Sequence, residues 1–166
     1  TLAEAIQSIH TQTFTDWELV IVDDGSTDAS CTIIEHYARQ DARVRCIRRE
    51  RCGIVVALMT AAEEAKGAYV ARMDGDDIAE PTRLEEQIAL FGRMPELSLC
   101  GTRVRMFGSA IGSGRQRYES WINGLVHPDE IDREIFVECP MPHPTFMLPR
   151  EVYDRAGGYR DYGWPE

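Results

Sequence analysis

Apolar residues fall in short bursts along this chain, and their spacing alternates between two periods. Leu2, Ala5, Ile6 and Ile9 recur at helical spacing and predict an amphipathic helix over residues 2 to about 11. Leu19-Val20-Ile21-Val22 is instead an unbroken apolar run, the pattern of a buried strand at about 18–23. Ser26, Thr27 and Asp28 offer caps to a helix carrying Ile33, Ile34 and Tyr37 and ending near Gln40, with Asp28 read as a capping residue. Residues 44–47 read as a short strand. Gly53 opens a helix with Ile54, Leu58, Ala61, Ala62 and Ala65 on one face, and Gly67 stops it before a strand at 69–73. Pro81 suits the first position of another helix, with Leu84, Ile88 and Phe91 on its inner face and Pro95 ending it. Residues 97–107 read as a further strand, 108–114 as a flexible loop, 129–137 as a short helix and 140–149 as a Pro-rich approach to a last strand.

This alternation predicts a layered α/β domain with right-handed crossovers. A parallel sheet rarely opens with a crossover helix, so a strand is expected before residue 1, and the sequence is expected to begin inside a longer protein.

Two acidic clusters stand directly after predicted strands: Asp23-Asp24-Gly25-Ser26 and Asp74-Gly75-Asp76-Asp77. In an open parallel sheet, ligands bind in the crevice at the carboxyl ends of the strands, so both clusters are expected to face one crevice. Carboxylates crowded there repel one another unless a cation or hydrogen-bond donors neutralise them. Oxygen ligands of this hardness favour Mg²⁺ or Mn²⁺, and a bound diphosphate would complete the shell. The plain alternative is a solvated turn with a helix cap, chemistry that also favours Asp. Arg48, Arg49 and Arg51 precede the helix start at Gly53, a place where cations and backbone N–H groups can meet a phosphate or a base carbonyl. His143, between two prolines, fits either a metal or phosphate contact or a buried, hydrogen-bonded imidazole.

Composition narrows the partners. The 166 residues are 43% hydrophobic with a mean hydropathy of -0.32, the profile of one folded domain, and no apolar stretch approaches the length of a membrane span. A net charge of -10 argues against nonspecific nucleic-acid binding, so anionic ligands must be met by local arginine or by metal. Cys31, Cys46, Cys52, Cys100 and Cys139 form an odd set without CxxC spacing, read as reduced fillers in a cytoplasmic setting.

Taken together the motifs resemble those of the family 2 glycosyltransferases. The matching segments are Ile6-Gln7-Ser8-Ile9 with Gln12-Thr13-Phe14, Trp17 through Asp28, Gly53 to Gly67, Arg72-Met73-Asp74-Gly75-Asp76-Asp77, Pro81-Thr82-Arg83-Leu84, and Pro142-His143-Pro144-Thr145 with Gly157-Gly158-Tyr159. They run in family order over nearly the whole chain. The resemblance implies a GT-A fold, a Rossmann-like three-layer α/β/α sandwich with a mostly parallel sheet. It implies a single partial domain over 1–166, with a nucleotide-binding half to about 95 and an acceptor-side half from about 96. It also implies transfer of a sugar from a nucleotide-diphosphate donor, a UDP-sugar favoured, to a glycan or lipid-linked acceptor with inversion.

By the same resemblance Asp23, Asp24 and Arg51 lie at the nucleotide. Asp76 is the direct ligand of Mn²⁺ or Mg²⁺, with Asp74 or Asp77 on the ribose or the metal's waters and His143 a further candidate, and Glu166 falls where the general base is expected. The chain departs from the family at Met59, where many members carry Asn, and it lacks both the first strand and the aspartate expected after Glu166. The intact parent is thus expected to be an enzyme and the 166-residue stretch weak or inactive. The resemblance leaves room for peripheral membrane association of the parent at the inner face of the membrane. Three other readings share some of these features: a non-catalytic nucleotide-sugar binding module, a nucleotidyltransferase, and a receiver domain. The last is disfavoured because the only lysine, Lys66, lies at a helix end.

Overall fold

Strand β1 (Leu19–Asp24) pairs in parallel with β2 (Val44–Arg49), Leu19 opposite Val44 and Asp24 opposite Arg49. The computed structural model describes residues 1–108 and 111–161. Helix α1 (Leu2–His10) buries Ala5, Ile6 and Ile9, the residues its spacing predicts, and α2 (Ser30–Gln40) links β1 to β2 as a crossover. The Asp28 carboxylate accepts the Ser30 N–H at 2.9 Å, serving the first turn of α2 from one position before the N-cap residue, which is Ala29 rather than Asp28. Helix α3 (Ile54–Glu64) returns the chain to β3 (Tyr69–Ala71).

The second half is less regular. Helix α4 (Arg83–Arg93) starts two residues after Pro81, which lies in the preceding turn rather than at the helix's first position. Helices α5 (Ser113–Gly124) and α6 (Pro128–Glu134) follow, then a 3₁₀ turn (His143–Thr145), β4 (Met147–Pro149) and α7 (Arg150–Ala156). Strand β4 lies antiparallel to β3, with Tyr69 opposite Pro149 and Ala71 opposite Met147. The α/β class is as expected, with a parallel pair in the first half and an antiparallel strand joined to the second.

Residues 97–107 do not form the expected strand. A single bridge joins Cys100 to Met147. Beyond it the extended backbone is satisfied by side chains: Asn123 accepts from Val104 N at 2.8 Å and donates to Val104 O at 2.7 Å, and Glu119 accepts from Met106 N at 2.7 Å. A ladder is unnecessary where helix α5 supplies the partners. The flexible loop expected at 108–114 is correspondingly shorter, because α5 already begins at Ser113.

The core of the second half gathers Leu84, Phe91, Cys100 and Met147, flanked by Phe14, Trp17, Tyr69 and Ile88. In the first half, by contrast, Leu19 to Val22 are only half-buried, although their pattern predicts a fully buried strand. The reason is a cleft between β1 and β3. Leu19 and Val20 of β1 and Leu58 and Ala61 of α3 line both of its parts, of about 640 and 470 Å³, and Tyr69, Val70 and Ala71 close the larger one. Among the described residues, the edge of β1 away from β2 and the edge of β3 away from β4 carry no strand.

Candidate functional site

The first acidic cluster leaves β1 in a tight turn. Asp23 is buried, and its Oδ1 accepts the Ser26 N–H at 2.9 Å. Hydrogen bonding from the Ser26 side chain holds its carboxyl below the usual carboxylate range against the opposing effect of burial, with smaller contributions from the Ser26 N–H, Cys31 and the Arg48 guanidinium 4.0 Å away. Asp24 faces the other way: its two oxygens accept the N–H groups of Cys52 and Gly53, each at 2.8 Å. It therefore closes the start of α3, satisfying donors that a helix terminus leaves without partners. Gly25, at φ +76°, allows the Arg51 backbone to approach; a Cβ there would stand 3.1 Å from Arg51 N. Asp23, Asp24 and Arg51 are thus brought together.

The second cluster leaves β3. Asp74 to Asp77 form a turn in which Asp77 N–H donates to Asp74 O at 3.3 Å. Two buried polar side chains of the first helical segment hold the chain that follows. Ser8 Oγ accepts from Ala79 N at 3.0 Å, and Gln12 donates to Glu80 O at 2.8 Å while accepting from Leu84 N at 3.0 Å. The turn is pinned against α1, and the smaller part of the cleft is lined by Asp23, Ser26, Asp74, Gly75 and Asp76. Both clusters therefore open on one crevice, as the strand-end argument predicts.

Burial, then the charges of Asp74 and Asp76, push the Asp77 carboxyl up. Such crowding suits a hard divalent cation. Among the described residues, however, no three His, Cys, Asp or Glu side chains stand close enough to hold a metal ion by themselves. His143 packs edge-on against Phe146 and Tyr159, at centroid distances of 4.7 and 5.9 Å. Glu166 lies outside the described residues.

Two arginines beneath the turn had no role assigned from sequence. Arg72 pairs with Asp74 at 2.9 Å, and Arg83 Nη2 donates to Arg72 O at 2.6 Å and to Pro144 O at 3.2 Å. The readable signal for Arg72 was a charged residue inside an apolar strand run. Arg48 reaches Glu35 at 3.5 Å, Arg49 donates to Thr60 Oγ1, and Arg51 is exposed beside the first turn. All five cysteines are free thiols, and among the described residues no helix is long and apolar enough to cross a membrane.

The fold defines the class: an α/β domain of the GT-A type. The TarS 1-349 structure from S. aureus, in complex with UDP-GlcNAc, superposes with a TM-score of 0.75 at 20% identity over 96% of this chain and 44% of that one. The mannosyltransferase PcManGT from Pyrobaculum calidifontis, in complex with GDP-Man and Mn²⁺, superposes at 0.67 and 20% identity over 96% and 43%. The chain belongs to glycosyl transferase family 2, whose family model matches residues 1–157. EpsE of Bacillus subtilis (strain 168), assigned to the glycosyltransferases by name, is 32% identical over 96% of this chain and 55% of its own length. The O-antigen biosynthesis glycosyltransferase WbnJ of Escherichia coli is 30% identical over 93% and 59%. The chain thus spans about half the length of the curated relatives it matches.

Proposed function

We propose that the protein to which this domain belongs moves a sugar from a nucleotide-diphosphate donor to a hydroxyl of a glycan or lipid-linked acceptor, with inversion, in surface polysaccharide or glycolipid synthesis. The observation that carries this reading is the opening of both acidic turns, after β1 and after β3, onto one cleft. Asp23, Asp24 and Arg51 take the nucleoside side, and the nucleotide half runs to about residue 95. Asp76, with Asp77 or Asp74 beside it, would hold Mn²⁺ or Mg²⁺; among the described residues no three such ligands converge, so diphosphate oxygens would complete the shell. The ion when bound neutralises charge on the departing diphosphate. His143 stays a candidate metal or phosphate contact. The acceptor hydroxyl attacks the anomeric carbon as its bond to the diphosphate breaks, and Glu166 takes the hydroxyl proton. The relatives' names and the donors held by the two structural neighbours support this reading; a UDP-sugar is the favoured donor.

Calorimetry of UDP binding to the purified chain, with and without Mn²⁺ and beside Asp76→Ala, tests it. Metal-dependent binding that disappears in Asp76→Ala is the expected result, and GDP and dTDP serve as controls for the base. Metal-independent binding, or full retention by the variant, would remove Asp76 from the donor site.

A further inference from the structure

Arg72 is the one charged residue in the strand run that leads to the acidic turn. Its side chain is only 6% exposed, and one guanidinium nitrogen lies 2.9 Å from Asp74 Oδ1. Its Nε has no hydrogen-bond partner among the described residues. Its backbone is pinned at both ends, N–H donating to Phe146 O at 2.8 Å and C=O accepting from Arg83 at 2.6 Å. Arg83 is itself half-buried and tied to Gln87 at 3.1 Å, so the Arg72 backbone is held by α4 on one side and by Phe146 on the other.

We propose that Arg72 is the positioning residue of the acidic turn: it presents Asp74 to a hydroxyl of the donor's ribose and withholds it from the metal, which is left to Asp76 and Asp77. This rests on the donor-site reading above. A buried guanidinium is tolerated only with a counter-charge, so Asp74 is its obligatory carboxylate. A carboxylate shared with a guanidinium is a poor inner ligand for a divalent ion, because the cation would meet a fixed positive charge a few ångströms away. It remains a good acceptor for a neutral hydroxyl, and the Asp74 side chain keeps 36% of its surface open.

The test compares the wild-type chain with Arg72→Met in two titrations. In the first, Mn²⁺ alone is titrated and followed by its electron paramagnetic resonance. Removing the guanidinium frees Asp74 for the ion, so Arg72→Met should bind Mn²⁺ severalfold more tightly. In the second, UDP and 2′,3′-dideoxy-UDP are titrated in the presence of Mn²⁺. The wild type should prefer UDP; Arg72→Met should lose about tenfold in UDP affinity, the worth of one hydrogen bond to a charged group, and little for the dideoxy compound. Equal loss for both nucleotides, or unchanged Mn²⁺ affinity in a folded Arg72→Met, would overturn the proposal. Should the wild type bind neither nucleotide, the donor reading fails, while the Mn²⁺ titration still decides whether Arg72 keeps Asp74 from the ion. Arg72→Lys, which keeps the charge and loses the planar fork, should shift both titrations in the same directions by less; this variant decides the matter if Arg72→Met does not fold.

Discussion

Asp41 sits where α2 gives way to β2, and its carboxylate accepts from Arg43 Nη2 at 2.7 Å and from Nε at 3.1 Å. The hydrogen bonds from the Arg43 side chain, then that from its backbone, hold the Asp41 pKa down at about 2, from an ordinary 3.8. A depressed folded-state pKa stabilises the fold above the ordinary value, and that contribution is lost as pH falls through the folded one. Urea midpoints of wild type and Asp41→Asn should therefore differ by a constant amount above pH 3.8 and converge as pH falls to about 2. A gap that persists to pH 2 would mean that charge is not what Asp41 supplies. At this scale the sequence placed both acidic clusters directly after predicted strands but did not show what each carboxylate touches. Asp23 and Asp24 are adjacent and chemically identical, yet one is held by its own turn and the other closes α3, a division set by the direction each side chain takes from the strand end. Arg72 was quoted only as a motif residue, since its partner Asp74 is legible only once the turn is folded.

Helix α3 depends on how it begins. Gly53 takes φ 92° and ψ 163°, a backbone conformation that residues with a Cβ rarely adopt, and a Cβ there would meet nothing within 4 Å. Gly53→Ala should thus cost about 1–3 kcal/mol from backbone strain alone. Gly25→Ala should cost more, because its Cβ also presses on Arg51 N at 3.1 Å. Chemical denaturation of the two variants checks the order; equal losses would show that the close approach contributes nothing. Periodicity located α1, α2 and α4 because each buries part of its apolar stripe, and it located α3 although only Ala62 of that stripe is buried and Ile54 is exposed. It missed α5, whose Tyr118, Trp121 and Ile122 do keep helical spacing, because Gly, Ser, Arg and Gln at its start read as a loop. The misreading at 97–107 has the related cause that its hydrogen bonds go to side chains, which a strand pattern does not encode.

Across the whole molecule, Met147 is central where β3 meets β4 and the core of the second half. It is 2% exposed, pairs with Ala71 and Cys100 through its backbone, and packs with Leu84 and Phe91 through its side chain. Met147→Ala should destabilise the fold by about 2–5 kcal/mol, measured by thermal or urea unfolding. A loss under about 1 kcal/mol would mean that the surroundings collapse onto the smaller residue. The overall class was legible because strand and helix periods alternate so regularly in the first hundred residues. The half-burial of β1 was not, since an apolar run carries no record of which neighbours lie beside it. That open flank bears on how the molecule behaves in concentrated solution. In this 166-residue stretch, the two ladder edges that carry no strand among the described residues, facing each other across walls of Val20, Leu58 and Val70, offer backbone partners to an extended segment of suitable apolar pattern. The net charge of -10 keeps like molecules apart, so colloidal behaviour is set by a contest between that repulsion and pairing at those edges, and added salt tilts it toward association.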